Sequence, residues 1–540
     1  MDSPKEFIDF TTPRPSTDRR VFTRTDAAIF LLLTGTQLTA IGFLARPWFS
    51  NPGRETISLA LLSIPLGATL LMYMLRWFSL PLMRRPRHTA PPVGLRVGVA
   101  TTFVPNAEPI EMLEQTVAAL VAMHYPHDTW VLDEADDQRV RALCARLGAL
   151  HFSRRDRPEY QADDGAFKRA CKHGNYNAWF TEHAFDRYDR IVTFDPDHVP
   201  RTEFLDRALG HFEDPRVGYV QVAASYYNQP ASFIARGAAE ESYAYFSSVQ
   251  MSAYAMGYPI VTGSHTTYRT SALRDVGGLA AHDADDLLIT ILFRVAGWRG
   301  VYVPEALAHG LTPVDWPGYL TQQRRWTRSV LDVKLRVFPK VASRLPRTER
   351  AVSFVHGLYP VQVLSSVFVI GVLAYMLVTG RTPALVSEKT VIPGIAVWVS
   401  LLAGDLFRNR FFIDRSREGG MLLRARVLRI AKWPQIVAAL FEAIGNRVNV
   451  YAVTRKVRSA KSEHPLRYPH LAAAALTSVS WAIGQYRGAI HHPILHVIAT
   501  AIVVASIALA AMESGDFPAP YDPNLAKSRI AELHAKPIGG

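Results

Sequence analysis

Arg190-Ile191-Val192-Thr193-Phe194-Asp195-Pro196-Asp197 runs from an apolar, β-branched segment directly into a turn with two carboxylates. A short apolar run bounded by turn residues reads as a buried strand, which places Asp195 and Asp197 just beyond its carboxyl end. Working outward, residues 95–103 and 129–132 have the same character, and a helical pattern over 111–123 lies between them. The 129–132 run ends at Asp133, with Glu134, Asp136 and Asp137 following. Strands alternating with helices predict a mainly parallel sheet covered on both faces, and such sheets bind ligands at the carboxyl ends of their strands. Both acidic groups therefore fall on one edge.

Paired carboxylates at such an edge suit a hard divalent cation, which takes one or two of them and fills its shell with phosphate oxygens and water. Asp195 and Asp197 are the expected metal ligands. Downstream, Asp283-Ala284-Asp285-Asp286 opens an amphipathic helix that ends at Gly297. An acceptor hydroxyl attacking a sugar's anomeric carbon needs a base, and Asp286 is the carboxylate expected to supply it. On a helix predicted over 319–330, Gln322 and Arg325 share a face and Trp326 is adjacent. Arginine can grip phosphate with two parallel hydrogen bonds, and an indole face can stack on a sugar ring. Together these groups are what the transfer of a sugar from a nucleotide diphosphate requires.

The 540-residue chain is uneven. Residues 27–45, 57–75, 352–379, 390–404, 471–483 and 493–512 are nearly free of charge, which predicts six membrane spans, with 390–404 and 471–483 the shortest. The first run begins after about two dozen polar residues and is closely followed by the second, unlike a cleaved leader. Arg19, Arg20 and Arg24 precede the first span and Arg84, Arg85 and Arg87 follow the second, so the positive-inside bias assigns both flanks to the cytoplasm. Net charge is +13, but arginines such as Arg408, Arg410, Arg415, Arg424, Arg426 and Arg429 cluster beside the spans, as membrane topology and anionic lipid require rather than nucleic acid. Cys144 and Cys171 fall in the cytoplasmic part without metal-ligand spacing and read as ordinary thiols.

These residues resemble the membrane-bound family 2 glycosyltransferases, and among them bacterial cellulose synthase, with relation also to curdlan, hyaluronan and chitin synthases. Residues 102–108, Thr-Phe-Val-Pro-Asn-Ala-Glu, are similar to the family's opening strand end. Val131-Leu132-Asp133-Glu134 resembles its Leu-Asp-Asp, which implies that Asp133 contacts the uridine. Residues 171–178, Cys-Lys-His-Gly-Asn-Tyr-Asn-Ala, resemble an element that places Lys172 near the donor. Ala284-Asp285-Asp286 stands where the family has Thr-Glu-Asp, and Gln322 through Trp326 stands as its Gln-x-x-Arg-Trp. Lys432-Trp433-Pro434 introduces an amphipathic helix with Ile436, Val437, Leu440, Phe441 and Ile444 on one side, suited to the membrane surface. Tyr451-Ala452-Val453-Thr454-Arg455-Lys456 resembles the family's gating loop, so Tyr451, Val453, Thr454 and Lys456 would form it and Thr454 and Lys456 would touch the diphosphate. The acceptor loop, Ile260 through His265, keeps Gly263 and Ser264 but lacks the family's aromatic and thiol groups, and His265 is an added hydrogen-bonding candidate.

The resemblance implies an α/β catalytic domain of the GT-A type joined to an α-helical membrane domain of about six spans with amphipathic interface helices. Its expected organisation is a cytoplasmic N-terminal segment at 1–26, two spans within 27–79 and the catalytic domain at 86–350. Two spans within 351–407, interface helices and gating loop at 408–470, two spans within 471–513 and a tail at 514–540 complete it. That tail is too short for the β-barrel that binds cyclic di-GMP in cellulose synthase, so such regulation, like any periplasmic component, would need another chain. The implied activity is processive, inverting polymerisation of glucose from UDP-glucose into a β-glucan with Mg2+ or Mn2+, in a bacterial inner membrane. A polar polymer cannot cross lipid unaided, and Gln37, Tyr359, Gln362, Tyr375, Trp398 and Asp405 are channel candidates. The alternatives are a hyaluronan- or chitin-type synthase using another UDP-sugar, a non-processive enzyme glycosylating a lipid, and a transporter with a regulatory nucleotide domain.

Overall fold

A computed structural model of the chain describes residues 18–50, 56–383, 385–415, 417–446, 467–512, 517–536 and 538. The expected gating loop at 451–456 lies outside them. Ten strands are described: β1 (Arg19–Arg20), β2 (Arg84–Arg85), β3 (Val97–Phe103), β4 (Asp128–Asp133), β5 (Leu150–Phe152), β6 (Arg190–Phe194), β7 (Val199–Pro200), β8 (Val217–Tyr226), β9 (Thr266–Arg269) and β10 (Arg299–Gly310). β1 and β2 form a small antiparallel ribbon, with Arg19 opposite Arg85 and Arg20 opposite Arg84. That pairing brings the chain before the first apolar helix back to the chain after the second. The flanks of the first two helices therefore meet on one side.

The other eight strands form one sheet in the order β5-β4-β3-β6-β9-β8-β10-β7. β5, β4, β3 and β6 are mutually parallel, as their sequence alternation with helices predicts. Beyond β6 the sheet is mixed, because β9 runs antiparallel to both β6 and β8. The reversal has a geometric consequence. Thr193 near the end of β6 pairs with Thr266 at the start of β9, so the loop entering β9 lies at the carboxyl end of β6. Gly263, Ser264 and His265 are thus carried to the Asp-Pro-Asp turn. On the other side of β6, Phe194 pairs with Thr101 and, one strand further, Phe103 pairs with Asp133, which puts Asp133 on the same edge.

Apolar side chains cover both faces. One face packs Trp130, Tyr176, Trp179, Phe180, Tyr219, Tyr268 and Phe293. On the other, Val99, Val192, Phe194, Val220 and Tyr302 join Phe30, Trp77, Leu80, Phe407 and Phe411 from the apolar helices, so sheet and helical domain share one core. Phe30 and Trp77 stack with ring centres 4.8 Å apart. Burial of such side chains contributes roughly 1.5–3 kcal/mol each before entropy is counted.

Among the described residues, four helical stretches are long and apolar enough to cross a membrane: Arg24–Arg46, Ile57–Leu82, Glu388–Phe411 and Pro493–Ala511. The first begins at a reciprocal cap in which the Asp26 carboxylate accepts from Thr23 N at 3.0 Å and Thr23 Oγ1 accepts from Asp26 N at 3.1 Å. The two remaining expected spans are also helical, Tyr359–Thr379 and Arg467–Tyr486, and Val372, Leu373, Met376 and Leu377 pack against Leu495 and Ala499. Two channel candidates are placed otherwise than expected. Gln37 is fully buried, donating to Tyr73 Oη at 3.0 Å and to the Ser400 carbonyl at 3.3 Å. A side chain at Gly404 would strike both Tyr73 and Gln37. Gln37 therefore locks three helices together, because a polar side chain among apolar helices is stabilised by meeting another polar group. Trp398 is 60% exposed on the outside of its helix.

The segment expected to be a tail also differs. Residues Pro523–His534 form a helix whose Ala526, Ile530 and Leu533 are buried against Met112 and Val199 beside the sheet. An apolar face spaced i, i+4, i+7 was there to be read.

Candidate active site

Asp195 and Asp197 leave β6 as the expected strand-end pair, and three anchors hold their turn. Thr116 Oγ1, on the Ile110–Val121 helix, donates to the Pro196 carbonyl at 2.7 Å. Asp195 N donates to Ser264 Oγ at 3.1 Å, and His198 N donates back to the Asp195 carbonyl at 3.0 Å. Asp197 is 5% exposed and its Oδ1 lies 3.3 Å from His198 Nδ1. One ligand atom from each of Asp195, Asp197 and His198 falls within 4.8 Å of the others, so the set fits a single metal ion. Two carboxylates and one imidazole suit Mn2+ as well as Mg2+. His198 was absent from the sequence reading, although it directly follows Asp197; the signal was adjacency to the motif.

Lys172 opens the Lys172–Trp179 helix, and its ammonium donates to both the Asp195 carboxylate and the Gly263 carbonyl. Burial would depress its pKa, but Asp195 and Asp285 more than offset that and hold it well above the usual lysine value. It is a fixed positive charge between the Asp-Pro-Asp turn and the loop entering β9. That loop is held by its own network. The Gln250 side-chain amide exchanges hydrogen bonds with Ile260, Val261 N donates to Thr290 Oγ1 at 3.0 Å, and Thr262 N donates to Gln221 Oε1 at 2.9 Å. Gly263 has φ of 77°, a left-handed conformation favouring glycine.

Asp285 and Asp286 begin the Asp285–Val295 helix, whose first-turn N–H groups complement negative charge. Asp286 Oδ1 accepts from Leu287 N at 2.7 Å, and Asp285 Oδ1 accepts from Asp286 N at 3.0 Å. Burial, then the charge of Asp285, push the Asp286 carboxyl up to about 7. Burial also raises Asp285, against the pull of Lys172 and His173. A carboxylate with its pKa near neutrality is matched to taking a proton from a hydroxyl. Asp285 was not given a role from sequence, yet its proximity sets the proton affinity of Asp286.

The acidic turn is tied to the helix carrying Gln322, Arg325 and Trp326. That helix, Trp316–Asp332, is capped by Asp315, which accepts from Gly318 N at 2.8 Å. His282 accepts from Ala284 N through Nδ1 at 2.9 Å and so donates from Nε2 to Asp332, also at 2.9 Å. Arg328 reaches Asp283 at 3.4 Å. Gln322 and Arg325 are half-buried, whereas Trp326 is 46% exposed, open for stacking.

Two predicted residues are turned inward. Asp133 is fully buried, with its oxygens accepting from Ala135 N and Asp137 N, so it shapes the turn after β4; His151 stands 3.4 Å away. His265, expected to reach an acceptor, is 1% exposed. Its Nε2 bonds the Val222 carbonyl at 2.9 Å, and its ring stacks on His198 with centres 5.3 Å apart. Burial, with His198 nearby, drives its pKa well below the usual value, so it supports the metal-binding turn from beneath as a neutral ring. The remaining predicted contacts, Tyr451, Val453, Thr454 and Lys456, lie outside the described residues.

A strand-end carboxylate pair, a lysine between it and the loop entering β9, and a carboxylate of raised pKa thus stand together at one edge of the sheet. Residues 190–403, which include the Asp-Pro-Asp turn and Asp286, match the family model "Glycosyl transferase family group 2". The chain is similar to cellulose synthases. It is 25% identical over 313 residues to Cellulose synthase 2 of Novacetimonas hansenii, covering 56% of this chain and 18% of that protein. It is also 25% identical over 242 residues to the UDP-forming cellulose synthase catalytic subunit of Xanthomonas axonopodis pv. citri (strain 306), covering 43% of this chain and 31% of that one. The chain thus spans less than a third of the length of these relatives. Among solved structures, the mannosyltransferase PcManGT from Pyrobaculum calidifontis, in complex with GDP-Man and Mn2+, aligns with a TM-score of 0.49 at 17% identity, over 73% of this chain and 99% of that one.

Proposed function

We propose that the protein is a processive, inverting synthase that transfers glucose from UDP-glucose to a growing β-glucan and passes the polymer across the bacterial inner membrane. The observation that carries the reading is the placement of Asp286, with its raised pKa, beside Gly263 and facing the Lys172–Asp195 pair. A sugar seated there would present its anomeric carbon between a base on one side and a cationic, metal-binding diphosphate site on the other. Asp286 takes the proton of the acceptor hydroxyl as its oxygen attacks, and attack from the face opposite the departing UDP inverts the anomeric centre. Lys172 and Arg325 stabilise the negative charge that develops on the diphosphate. Asp195, Asp197 and His198 would hold Mg2+ or Mn2+, which supplies further charge neutralisation for the leaving group. Trp326 offers a face for the acceptor sugar, and Thr454 and Lys456 would close over the donor.

The catalytic domain shares its core with the apolar helices, which supports synthesis and translocation by one chain. The arginines paired across β1 and β2 support a cytoplasmic placement of the catalytic domain. Purified protein in proteoliposomes, supplied separately with UDP-glucose, UDP-N-acetylglucosamine and UDP-glucuronate, should release UDP and build polymer from UDP-glucose, with linkage analysis showing β-glucan. Polymer from another sugar would replace the donor assignment, and single-sugar products would remove processivity.

A further inference from the structure

The Asp195–His198 turn is followed at once by β7, and β7 is a weak strand. It has two residues, one of them a proline that cannot donate, and it pairs only with Ala308 and His309 at the edge of the sheet. What covers that edge is the C-terminal helix Pro523–His534. Asp522 caps it, accepting from Asn524 N at 2.9 Å, and Tyr521 anchors its entry by donating to Gln115 Oε1 at 3.1 Å. Ala526, Ile530 and Leu533 enclose Val199 together with Met112, Tyr227 and Leu311. The other end of the helix is gripped by Arg201, four residues beyond Asp197 and 6% exposed. Its guanidinium donates to the carbonyls of Leu533 at 3.1 Å, His534 at 3.1 Å and Lys536 at 2.8 Å. The first two are orphan carbonyls of the helix's last turn, where a cation is doubly favoured, and the third lies just beyond it. His534 also lies against His309 of β10, with ring centres 5.5 Å apart.

We propose that the Pro523–His534 helix is a strap that positions the Asp195-Pro196-Asp197-His198 turn for its divalent cation, with Arg201 as the positioning residue that joins strap to turn. The inference rests on the reading of that turn as the metal site. Thr116 and Ser264 fix the turn's first half through Pro196 and Asp195. The second half, Asp197 and His198, depends on where Val199 to Arg201 lie, and the strap sets that. Residues that orient metal ligands from outside the coordination shell typically alter metal affinity by roughly 10–100-fold when changed.

Two variants of the full chain test this, Arg201→Gln, which releases the helix end, and Ile530→Asp, which dislodges the helix while leaving Arg201 intact. Mn2+ binding is read by electron paramagnetic resonance on each protein with saturating UDP, and UDP release is read as a function of Mn2+. Both variants should need roughly tenfold more Mn2+ for half-saturation, with the maximal rate at saturating Mn2+ close to the parent's, and Arg201→Lys should recover part of the shift. An unchanged Mn2+ midpoint in either folded variant overturns the strap. A rate that stays low at saturating Mn2+ with no change in midpoint also overturns it, since it indicates general loss of structure. A parent protein that binds no Mn2+ overturns the metal reading itself, and that result is separable because it appears before any substitution.

Discussion

Gly263 lies against Asp286. A Cβ built on Gly263 would stand 3.4 Å from Asp286 Cβ and 3.5 Å from Oδ2, and the Gly263 carbonyl accepts from Lys172. One glycine thus separates the Asp286 carboxylate from the Lys172 ammonium. Gly263→Ala should be doubly unfavourable, because alanine is strained at φ 77° and its methyl crowds the carboxylate. Expected is a rise in acceptor KM and a loss in kcat of at least tenfold with UDP affinity retained. Kinetics within twofold of the parent would show that the acceptor hydroxyl approaches Asp286 from elsewhere.

Asp286→Asn removes the proposed base while leaving the Asp195-Pro196-Asp197 turn and Lys172 in place. General base catalysis contributes about 10²–10⁴-fold, so polymer formation should fall by that factor with UDP binding little changed. Calorimetric UDP binding alongside radiolabelled polymer yield makes the check. Residual activity near the parent level would move the role to Asp285.

The raised pKa of Asp286 gives a pH prediction with a definite sign. Burial is the first cause and the charge of Asp285 the second, so Asp285→Asn should lower the Asp286 pKa from its value of about 7. A base works deprotonated, and its rate falls as pH drops through its pKa. The acidic limb of log kcat/KM should therefore move to lower pH in Asp285→Asn. The stability sign is the reverse of the usual carboxylate case. With a folded pKa above the unfolded one, the pair binds protons more tightly when folded, so its contribution is most favourable below pH 4 and is lost as pH rises towards 7. An unmoved or alkaline-shifted limb would separate the two carboxylates.

Much of this site was legible because its strands end in their own functional groups. The apolar 190–194 run predicted β6, and the position of Asp195 and Asp197 followed from the strand's direction alone. Asp286 was legible for a similar reason, since it starts a helix whose apolar spacing marks its first turn. What sequence did not show is the reversal at β9. Only hydrogen-bond register reveals that the loop of Gly263 and Ser264 returns antiparallel to β6 and so reaches Asp195. His265 misled because polarity was taken as exposure, whereas the ring's hydrogen bond to Val222 and its packing on His198 make burial acceptable. Gln37 misled similarly. A polar group in an apolar helix can line a pore or join helices, and only its neighbours decide.

The link between the acidic helix and the first helix beyond the catalytic core is a buried pair. Arg294 donates from Nε to Glu349 Oε2 at 2.8 Å and from Nη2 to Oε1 at 2.6 Å, with the two side chains 5% and 8% exposed. Removing one partner strands the other's charge, so Glu349→Ala should destabilise the protein by about 3–5 kcal/mol. Replacing both with Met and Leu should cost far less, since no charge is left buried. Denaturation in detergent, followed by the catalytic domain's tryptophan fluorescence, distinguishes them. Equal losses in single and double variants would show that packing, not charge, dominates at this joint.

The last expectation concerns Thr454 and Lys456, which follow the Trp433–Ile444 helix. That helix is clamped to the helix bearing Gln322, Arg325 and Trp326 at several points. Lys432 donates to Gln323 at 2.8 Å, Arg324 pairs with Glu442, and Arg336, just past the end of that helix, donates to the Ala443 carbonyl at 2.5 Å. The chain therefore leaves Ile444 from a fixed point beside the catalytic helix. A hydroxyl donor and an ammonium that meet phosphate only when donor is bound would favour the closed arrangement by their differential affinity. Replacing both with alanine should lower turnover by roughly 10–100-fold, on the scale of about 1.4 kcal/mol for each tenfold, while leaving the Arg324 clamp and the fold intact. Polymer made at the parent rate by the double variant would reduce this segment to a linker between membrane helices.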